Sequence, residues 1–185
     1  MTTLKVETTR KKSKAFSFFP ISKFAQLFLI GITILVLNSC ATSNTDVVYN
    51  VPRSSDLLLR ENIVSFAKQQ IGDSYQYGAK GPNSFDCSGL VHYVFRSENI
   101  ITSGSAASLS NLGKGIKKED AQKGDLVFYK KGGDIFHVSI ISETVSGEIW
   151  VVHSTTSRGV IEEDILSSSY WKPKIYKIIS LDTYK

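Results

Sequence analysis

Helical spacing of apolar residues gives way to strand-like alternation part-way along the chain, and this order restricts the fold class before any motif is considered. Apolar residues three or four positions apart predict three helices: one over Leu59–Ile71 with an N-cap near Ser55, one that begins at about Asp86, and a short one around Leu109 and Leu112. All three helices precede the segments that alternate.

Strand-like segments occupy the rest of the chain. Four strands are predicted, at Leu126–Tyr129, His137–Ile141, Ile149–His153 and Ile175–Ile179. The turn at residues 146–147 joins the second and third of them into an antiparallel hairpin. Helices followed by a run of strands indicate an α+β domain, with N-terminal helices packed on an antiparallel β-sheet.

The first forty residues carry the pattern of an export signal. A basic cluster at residues 10–14 precedes an apolar run, Phe24–Leu37, which is short for a stable membrane span. The run leads into Leu37-Asn38-Ser39-Cys40, which resembles the lipobox of bacterial lipoproteins, although Asn38 departs from the usual small residue. The resemblance implies a signal peptide over residues 1–39 and a lipid-modified Cys40. The alternative is an uncleaved anchor helix, and either interpretation puts the rest of the chain outside the cytoplasm at a membrane.

The excess of basic over acidic residues in the whole chain lies within this predicted signal peptide. The chain has 22 basic and 17 acidic residues, but six of the basic residues and one of the acidic residues precede Cys40. The remaining 16 of each sign leave residues 40–185 formally neutral, so the composition gives no reason to expect a nucleic-acid partner. We expect residues 40–55 to form a flexible tether and residues 56–185 to form a single domain.

Cys87 needs an explanation if Cys40 carries lipid, because it is then the only thiol left in an exported chain. A buried cysteine that acts as a small apolar residue is one explanation. The neighbouring residues favour another. A turn-rich stretch over residues 78–84 precedes Cys87, and helical spacing follows it, so Asp86 is a good N-cap. A cysteine in the first turn of a helix has a lowered pKa and is a good nucleophile.

A cysteine nucleophile needs a base, and the chain has three histidines. His92 follows Cys87 by five residues on the same helix, about 140° around the axis, so it points elsewhere and is interpreted as a surface or groove residue. His137 begins one strand of the predicted hairpin and His153 ends the other, so the two are cross-strand neighbours if they share a face. This arrangement suits His137 as the base, oriented by His153.

Five sequence pieces in order resemble the NlpC/P60 family of papain-like cell-wall peptidases. The resemblance runs from about residue 60 to residue 171, and the five pieces are residues 74–78 (SYQYG), 86–91 (DCSGLV), 123–129 (KGDLVFY), 137–140 (HVSI) and 152–154 (VHS). The resemblance implies that Cys87 attacks a peptide carbonyl, that His137 acts as base and then acid, and that His153 orients it. It also implies that the hydroxyl of Tyr75 lies near the oxyanion.

The same resemblance implies a substrate and a location. Asp86 and Ser88 would contact the stem peptides of peptidoglycan, and the usual cleavage lies between γ-D-glutamate and the following diamino acid. No cofactor is expected. The protein is expected to be a monomer in the cell envelope, anchored through lipid on Cys40. Ala41 and Thr42, which follow this cysteine, indicate the outer membrane, with the domain facing the periplasm.

Departures from the family pattern leave alternatives open. Residues 101–108 (ITSGSAAS) lack the Pro-Arg segment that often lines the substrate groove, Ala79 replaces a common glycine and Lys123 a common proline. The alternatives are cleavage of D-Ala–diamino acid cross-links, a related acyltransferase or amidase, a non-catalytic wall-binding lipoprotein, and a zinc site built from one cysteine and two histidines. The last lacks a fourth cysteine or histidine ligand.

Overall fold

The computed structural model describes residues 54–185. The predicted signal peptide, the lipid-modified Cys40 and nearly all of the predicted tether lie outside the described residues. The described chain begins with helix α1 (Ser54–Lys68). Helix α2 (Cys87–Ser97) and the short helix α3 (Ala106–Ser110) follow, with two-residue strands β1 (Ser74–Tyr75) and β2 (Ser84–Phe85) paired in parallel before α2.

Five further strands form one antiparallel sheet. They are β3 (Leu126–Lys131), β4 (Asp134–Val145), β5 (Glu148–Thr155), β6 (Gly159–Asp164) and β7 (Ile175–Ile179). Their order across the sheet is β6-β5-β4-β3-β7, and every neighbouring pair is antiparallel. The predicted α+β architecture is confirmed.

The sheet is covered on both faces, which explains why its central strands are buried along their length. On one face Leu90, Val94 and Phe95 of α2 join Phe128 and Ile140 in the main core. A second cluster of apolar residues covers the opposite face, where the late segment that contains Trp171 packs against the strands. The alternation of side chains along β4 therefore sends His137 and Val138 to opposite faces.

A buried ion pair ties α1 to the sheet. Arg60 donates to Asp125 at 2.6 Å, and Asp125 also accepts hydrogen bonds from the backbone N–H groups of Gln122 and Leu181. Both side chains are almost fully buried. Because each charge has its partner and further hydrogen bonds, the pair fixes the position of α1 rather than leaving a charge unsatisfied in the core.

Three sequence predictions of local structure need correction. Helix α1 already includes Ser54, so Ser55 lies inside the helix and is not its N-cap. The helix ends at Lys68, and Ile71 is an exposed residue beyond it. The sequence analysis also missed strand β6. None of the helices in residues 54–185 is long and apolar enough to cross a membrane.

Candidate active site

The start of helix α2 is fixed by Asp86. Its carboxylate accepts from the backbone N–H of Gly89 at 2.6 Å, which confirms the predicted N-cap. It also accepts from the Ser88 hydroxyl at 3.0 Å and from the backbone N–H of Gly78 at 2.9 Å. Asp86 thus connects the approach loop to the helix, and Cys87 becomes the first residue of α2.

Cys87 lies in the wall of an open cavity of about 460 Å³. The side chain is partly buried. Tyr75 and His137 line the same cavity, together with the hydroxyl-rich residues 154–157 and Arg158. The backbone N–H of Val138 donates a hydrogen bond to the Cys87 sulfur, which places that sulfur beside the residue that follows His137. The structure therefore brings the predicted nucleophile and the predicted base to one site.

The protonation state of Cys87 differs from the sequence prediction. Burial raises the pKa of the thiol above its ordinary value, and the nearby carboxylate of Asp86 raises it further. Hydrogen bonds from the backbone of Val138, Ser88 and Cys87 itself lower the pKa, but burial has the larger effect. The thiol is therefore neutral at pH 7 without substrate, and it depends on a base to become a nucleophile.

This protonation state leads to a spectroscopic prediction. A thiolate absorbs near 240 nm and a thiol does not, so the difference in absorbance between the wild-type chain and a Cys87→Ala variant should be absent at pH 7. The signal should grow only above the ordinary range of a cysteine pKa, about 8.5. A full thiolate signal at pH 6 to 7 would show instead that the helix end outweighs burial.

His137 and His153 form the second part of the site. His153 follows Val152, which pairs with Ile140, so His137 lies diagonally across from it on the same face of β4 and β5. Nε2 of His137 lies 2.9 Å from Nδ1 of His153 in a buried hydrogen bond. The geometry predicted for the hairpin is therefore present, with a diagonal rather than a directly opposite pair.

Both rings are neutral at pH 7. Burial holds the pKa of His137 well below its ordinary value, and the neighbouring His153 lowers it further. Burial also lowers the pKa of His153, although its hydrogen bond to Glu163 opposes this shift. A neutral His137 is ready to accept a proton, as a general base requires.

Trp171 packs against His137 and also contacts Glu163. Its ring stacks on His137 with centroids 4.7 Å apart and 25° between the planes, and its Nε1 donates to Glu163 at 2.8 Å. Trp171 is almost fully buried, its neighbour Tyr170 is half exposed, and both line the cavity. The indole therefore keeps water from one face of the proposed base.

Glu163 is a site residue that the sequence analysis missed. It lies on β6, and its Oε1 is 2.9 Å from Nε2 of His153. No motif contains it, and its segment, GVIEED, has no clear alternation of apolar and polar residues. A sequence signal was therefore lacking, because its contact with His153 depends on the pairing of β6 with β5.

The other predicted site residues lie around Cys87. Tyr75 lines the cavity, and burial and the nearby Cys87 raise the pKa of its hydroxyl, so it stays protonated and able to donate a hydrogen bond. Asp86 and Ser88 line a groove on the other side of Cys87, together with Lys80. The carboxylate of Asp86 already accepts hydrogen bonds from Gly78, Ser88 and Gly89, so its main role is to hold the local backbone in place.

His92 is buried, which corrects its interpretation as a surface or groove residue. Its ring nitrogens lie 2.7 Å from the hydroxyl of Thr102 and 2.7 Å from the carbonyl of Gly104. The ring points away from the cavity and fixes the loop that lacks the Pro-Arg segment. Residues 54–185 contain no group of three or more His, Cys, Asp or Glu side chains that could hold a metal ion.

A family model and several solved structures resemble the domain that carries this site. A model of the NlpC/P60 family matches residues 72–180, which include Tyr75, Cys87 and both strand histidines. A structural search finds the NlpC/P60 domain of the peptidoglycan hydrolase SagA, with a TM-score of 0.55 and 26% identity, covering 66% of this chain and 98% of that one. The papain-like fold that the sequence motifs implied is confirmed by these matches.

Two relatives carry functional names. A gamma-DL-glutamyl hydrolase of Bacillus subtilis is 39% identical over 60% of this chain, which spans only 27% of the length of that hydrolase. A probable endopeptidase of Haemophilus influenzae is 29% identical over 84% of this chain and 98% of its own length. The similarity therefore covers the described domain and, for the second relative, nearly the whole protein.

Proposed function

We propose that this chain, which belongs to the NlpC/P60 family, is a cysteine endopeptidase that hydrolyses amide bonds in the stem peptides of peptidoglycan. The observation that carries the proposal is the placement of Cys87 and His137 in the wall of one cavity, with His137 hydrogen-bonded to His153. The names of the similar hydrolases and endopeptidases support the reaction class.

The neutral thiol and the neutral imidazole suggest how the first step proceeds. His137 takes the thiol proton as the sulfur of Cys87 attacks the carbonyl carbon, and the electron pair of the C=O bond moves to the oxygen. In this proposal the hydroxyl of Tyr75, which lines the same cavity, donates a hydrogen bond to that oxyanion. The C–N bond then breaks, and the imidazolium of His137 gives its proton to the leaving amine.

The second step releases the acyl product. Water attacks the thioester while His137 takes one of its protons, the C–S bond breaks, and the sulfur of Cys87 recovers the proton. The net result is one amide bond and one water converted to a carboxylic acid and an amine. His153 keeps the ring of His137 in position during both steps, which is the role of the third residue in a triad.

We place the cleaved bond between γ-D-glutamate and the diamino acid. A γ-linked D-glutamate keeps a free α-carboxylate beside the bond, and Arg158 offers a half-exposed guanidinium on the cavity wall. The similarity to a gamma-DL-glutamyl hydrolase supports the same choice. A contact between this carboxylate and Arg158 could also replace the contact of the arginine that this chain lacks after the nucleophile helix. Cleavage of D-Ala–diamino acid cross-links is the second candidate.

The location is part of the proposal. Cys40 would carry lipid after removal of residues 1–39, and residues 40–55 would tether a monomeric domain to the outer membrane, facing peptidoglycan in the periplasm. Growth with labelled palmitate, comparing the wild-type chain with a Cys40→Ala variant, tests the lipid. We expect label on the wild-type chain alone.

The substrate is tested with peptides that contain both candidate bonds. Cross-linked stem peptides and linear tripeptides should be incubated with the full-length chain, and mass spectrometry should identify the fragments. Loss of L-Ala-γ-D-Glu from the linear tripeptide supports γ-D-glutamyl cleavage, and fragments that separate only at the cross-link support the second candidate. Binding of intact peptidoglycan without any cleavage would contradict the enzyme and leave the wall-binding alternative.

A further inference from the structure

Glu163 lies directly behind His153, on the side away from His137. A single carboxylate oxygen, Oε1, receives the His153 contact at 2.9 Å, the Trp171 indole at 2.8 Å and Nη2 of Arg158 at 2.5 Å. The hydrogen bond from His153 contributes most to lowering the pKa of Glu163 to about 2. Glu163 is therefore a carboxylate at neutral pH, and a carboxylate can only accept hydrogen bonds.

The direction of the hydrogen bonds follows from this restriction. Since Glu163 only accepts, Nε2 of His153 must carry the proton that is donated to it. His153 is neutral at pH 7, so its Nδ1 is unprotonated and must accept from Nε2–H of His137 at 2.9 Å. His137 is also neutral, and with its proton on Nε2 its Nδ1 is left unprotonated.

Hydrogen bonds in the opposite direction would prevent His137 from acting as the base. If His153 carried its proton on Nδ1, it would donate to Nε2 of His137, and the proton of His137 would move to Nδ1. No lone pair would then remain on His137 to take the thiol proton of Cys87. The direction of both hydrogen bonds is selected by Glu163, which lies at the end of the row and can only accept.

We propose that Glu163 is a positioning residue that fixes the tautomer of His153 and, through His153, leaves Nδ1 of His137 unprotonated for Cys87. The inference deepens the proposed function, on which its kinetic consequence rests. Arg158 and Trp171 hold the carboxylate in place, and His153 lies between Glu163 and His137, in hydrogen-bond contact with both. His137, His153 and Glu163 thus form a row of hydrogen-bonded residues behind the cavity that Cys87 lines.

The test compares Glu163→Gln with Glu162→Gln in the full-length chain. Glu162 is the neighbouring residue on β6 and bonds to Ser142 and Lys68, away from the histidines, so its replacement removes the same charge from the same strand. The three histidines of the chain can be followed by ¹⁵N NMR, which distinguishes ring tautomers. His92, whose Nε2 must donate to the carbonyl of Gly104, is an internal reference.

We expect the wild-type chain and Glu162→Gln to show His137 and His153 with the proton on Nε2. Glu163→Gln should show mixed tautomers of both rings, because an amide can donate as well as accept. Its kcat should fall roughly 10- to 100-fold, by analogy with the loss of an outer hydrogen-bond partner from a metal-ligating histidine. Glu163→Asp should recover part of this loss, and Arg158→Ala should leave the tautomers unchanged.

Unchanged tautomers in a folded Glu163→Gln variant would overturn the inference, and so would a loss expressed only in KM. A wild-type chain that cleaves no stem peptide would instead contradict the proposed function, while the NMR spectra would still decide the role of Glu163. The melting temperatures of all variants identify any that fail to fold, and Glu163→Asp then provides the comparison.

Discussion

Replacing Cys87 by alanine should abolish stem-peptide hydrolysis in the full-length chain while leaving the fold intact. Removal of the nucleophile in a related catalytic arrangement costs roughly 10⁶ in kcat, which puts the residual rate below detection. The side chain loses only one sulfur atom at a partly buried position, so the free energy of unfolding should change by about 1 kcal/mol. The product yield by mass spectrometry and the thermal unfolding curve measure these two expectations.

The matched control is Cys40→Ala. It removes the other cysteine of the chain, which has no part in the proposed chemistry, and it should hydrolyse soluble stem peptides at the wild-type rate. A folded Cys87→Ala variant that retains full activity would disprove a nucleophilic role for this residue. Loss of activity in Cys40→Ala as well would point to a general effect on the protein.

Replacing His137 by alanine should cost nearly as much as replacing Cys87. The thiol is neutral in the free site because burial raises its pKa, so without a base it cannot attack. The two residues act as a unit, and the double variant should therefore be no slower than either single variant. Initial rates of the two single variants and the double variant at pH 7.5 check this non-additivity.

Imidazole in solution should partly restore the His137→Ala variant. The lost side chain opens onto a cavity of about 460 Å³, which admits a molecule of that size, and Trp171 offers the same stacking surface. Imidazole should have no effect on Cys87→Ala. His153→Ala should keep more activity than His137→Ala, because it removes the orienting ring and not the base. Equal losses in both variants would contradict the separate roles of the two rings.

Local signals in the sequence were sufficient for most of this site. The turn before Cys87, the capping carboxylate of Asp86 and the helical spacing after it are all short-range features, and they gave the correct start of α2. The hairpin that carries His137 and His153 was predictable from alternation and one turn. That the two rings share a face was not predictable, because it depends on a register shift between Ile141 and Glu143; the register set by the turn alone would send the two rings to opposite faces. The helix geometry also correctly directed His92 away from the cavity.

The remaining features depend on contacts between distant segments. Glu163 reaches His153 only because β6 pairs with β5, and its acidic segment lacks the alternation that identifies a strand. Trp171 covers His137 only because the segment between β6 and β7 packs on the face of the sheet opposite α2. The raised pKa of Cys87 has the same origin: the helix end is a local effect, whereas burial depends on the whole fold.

As the nucleophile, Cys87 should form a thioester with the acyl part of a stem peptide during turnover. The most direct measurement mixes excess full-length chain with substrate, quenches the reaction in acid over a series of times, and determines the mass of the proteolytic fragment that contains Cys87. We expect a transient fragment that is heavier by the acyl portion of the substrate and that is absent from Cys87→Ala. Release of both products with the Cys87 fragment unmodified at every time, and with a variant lacking Cys87 equally active, would contradict this role of Cys87.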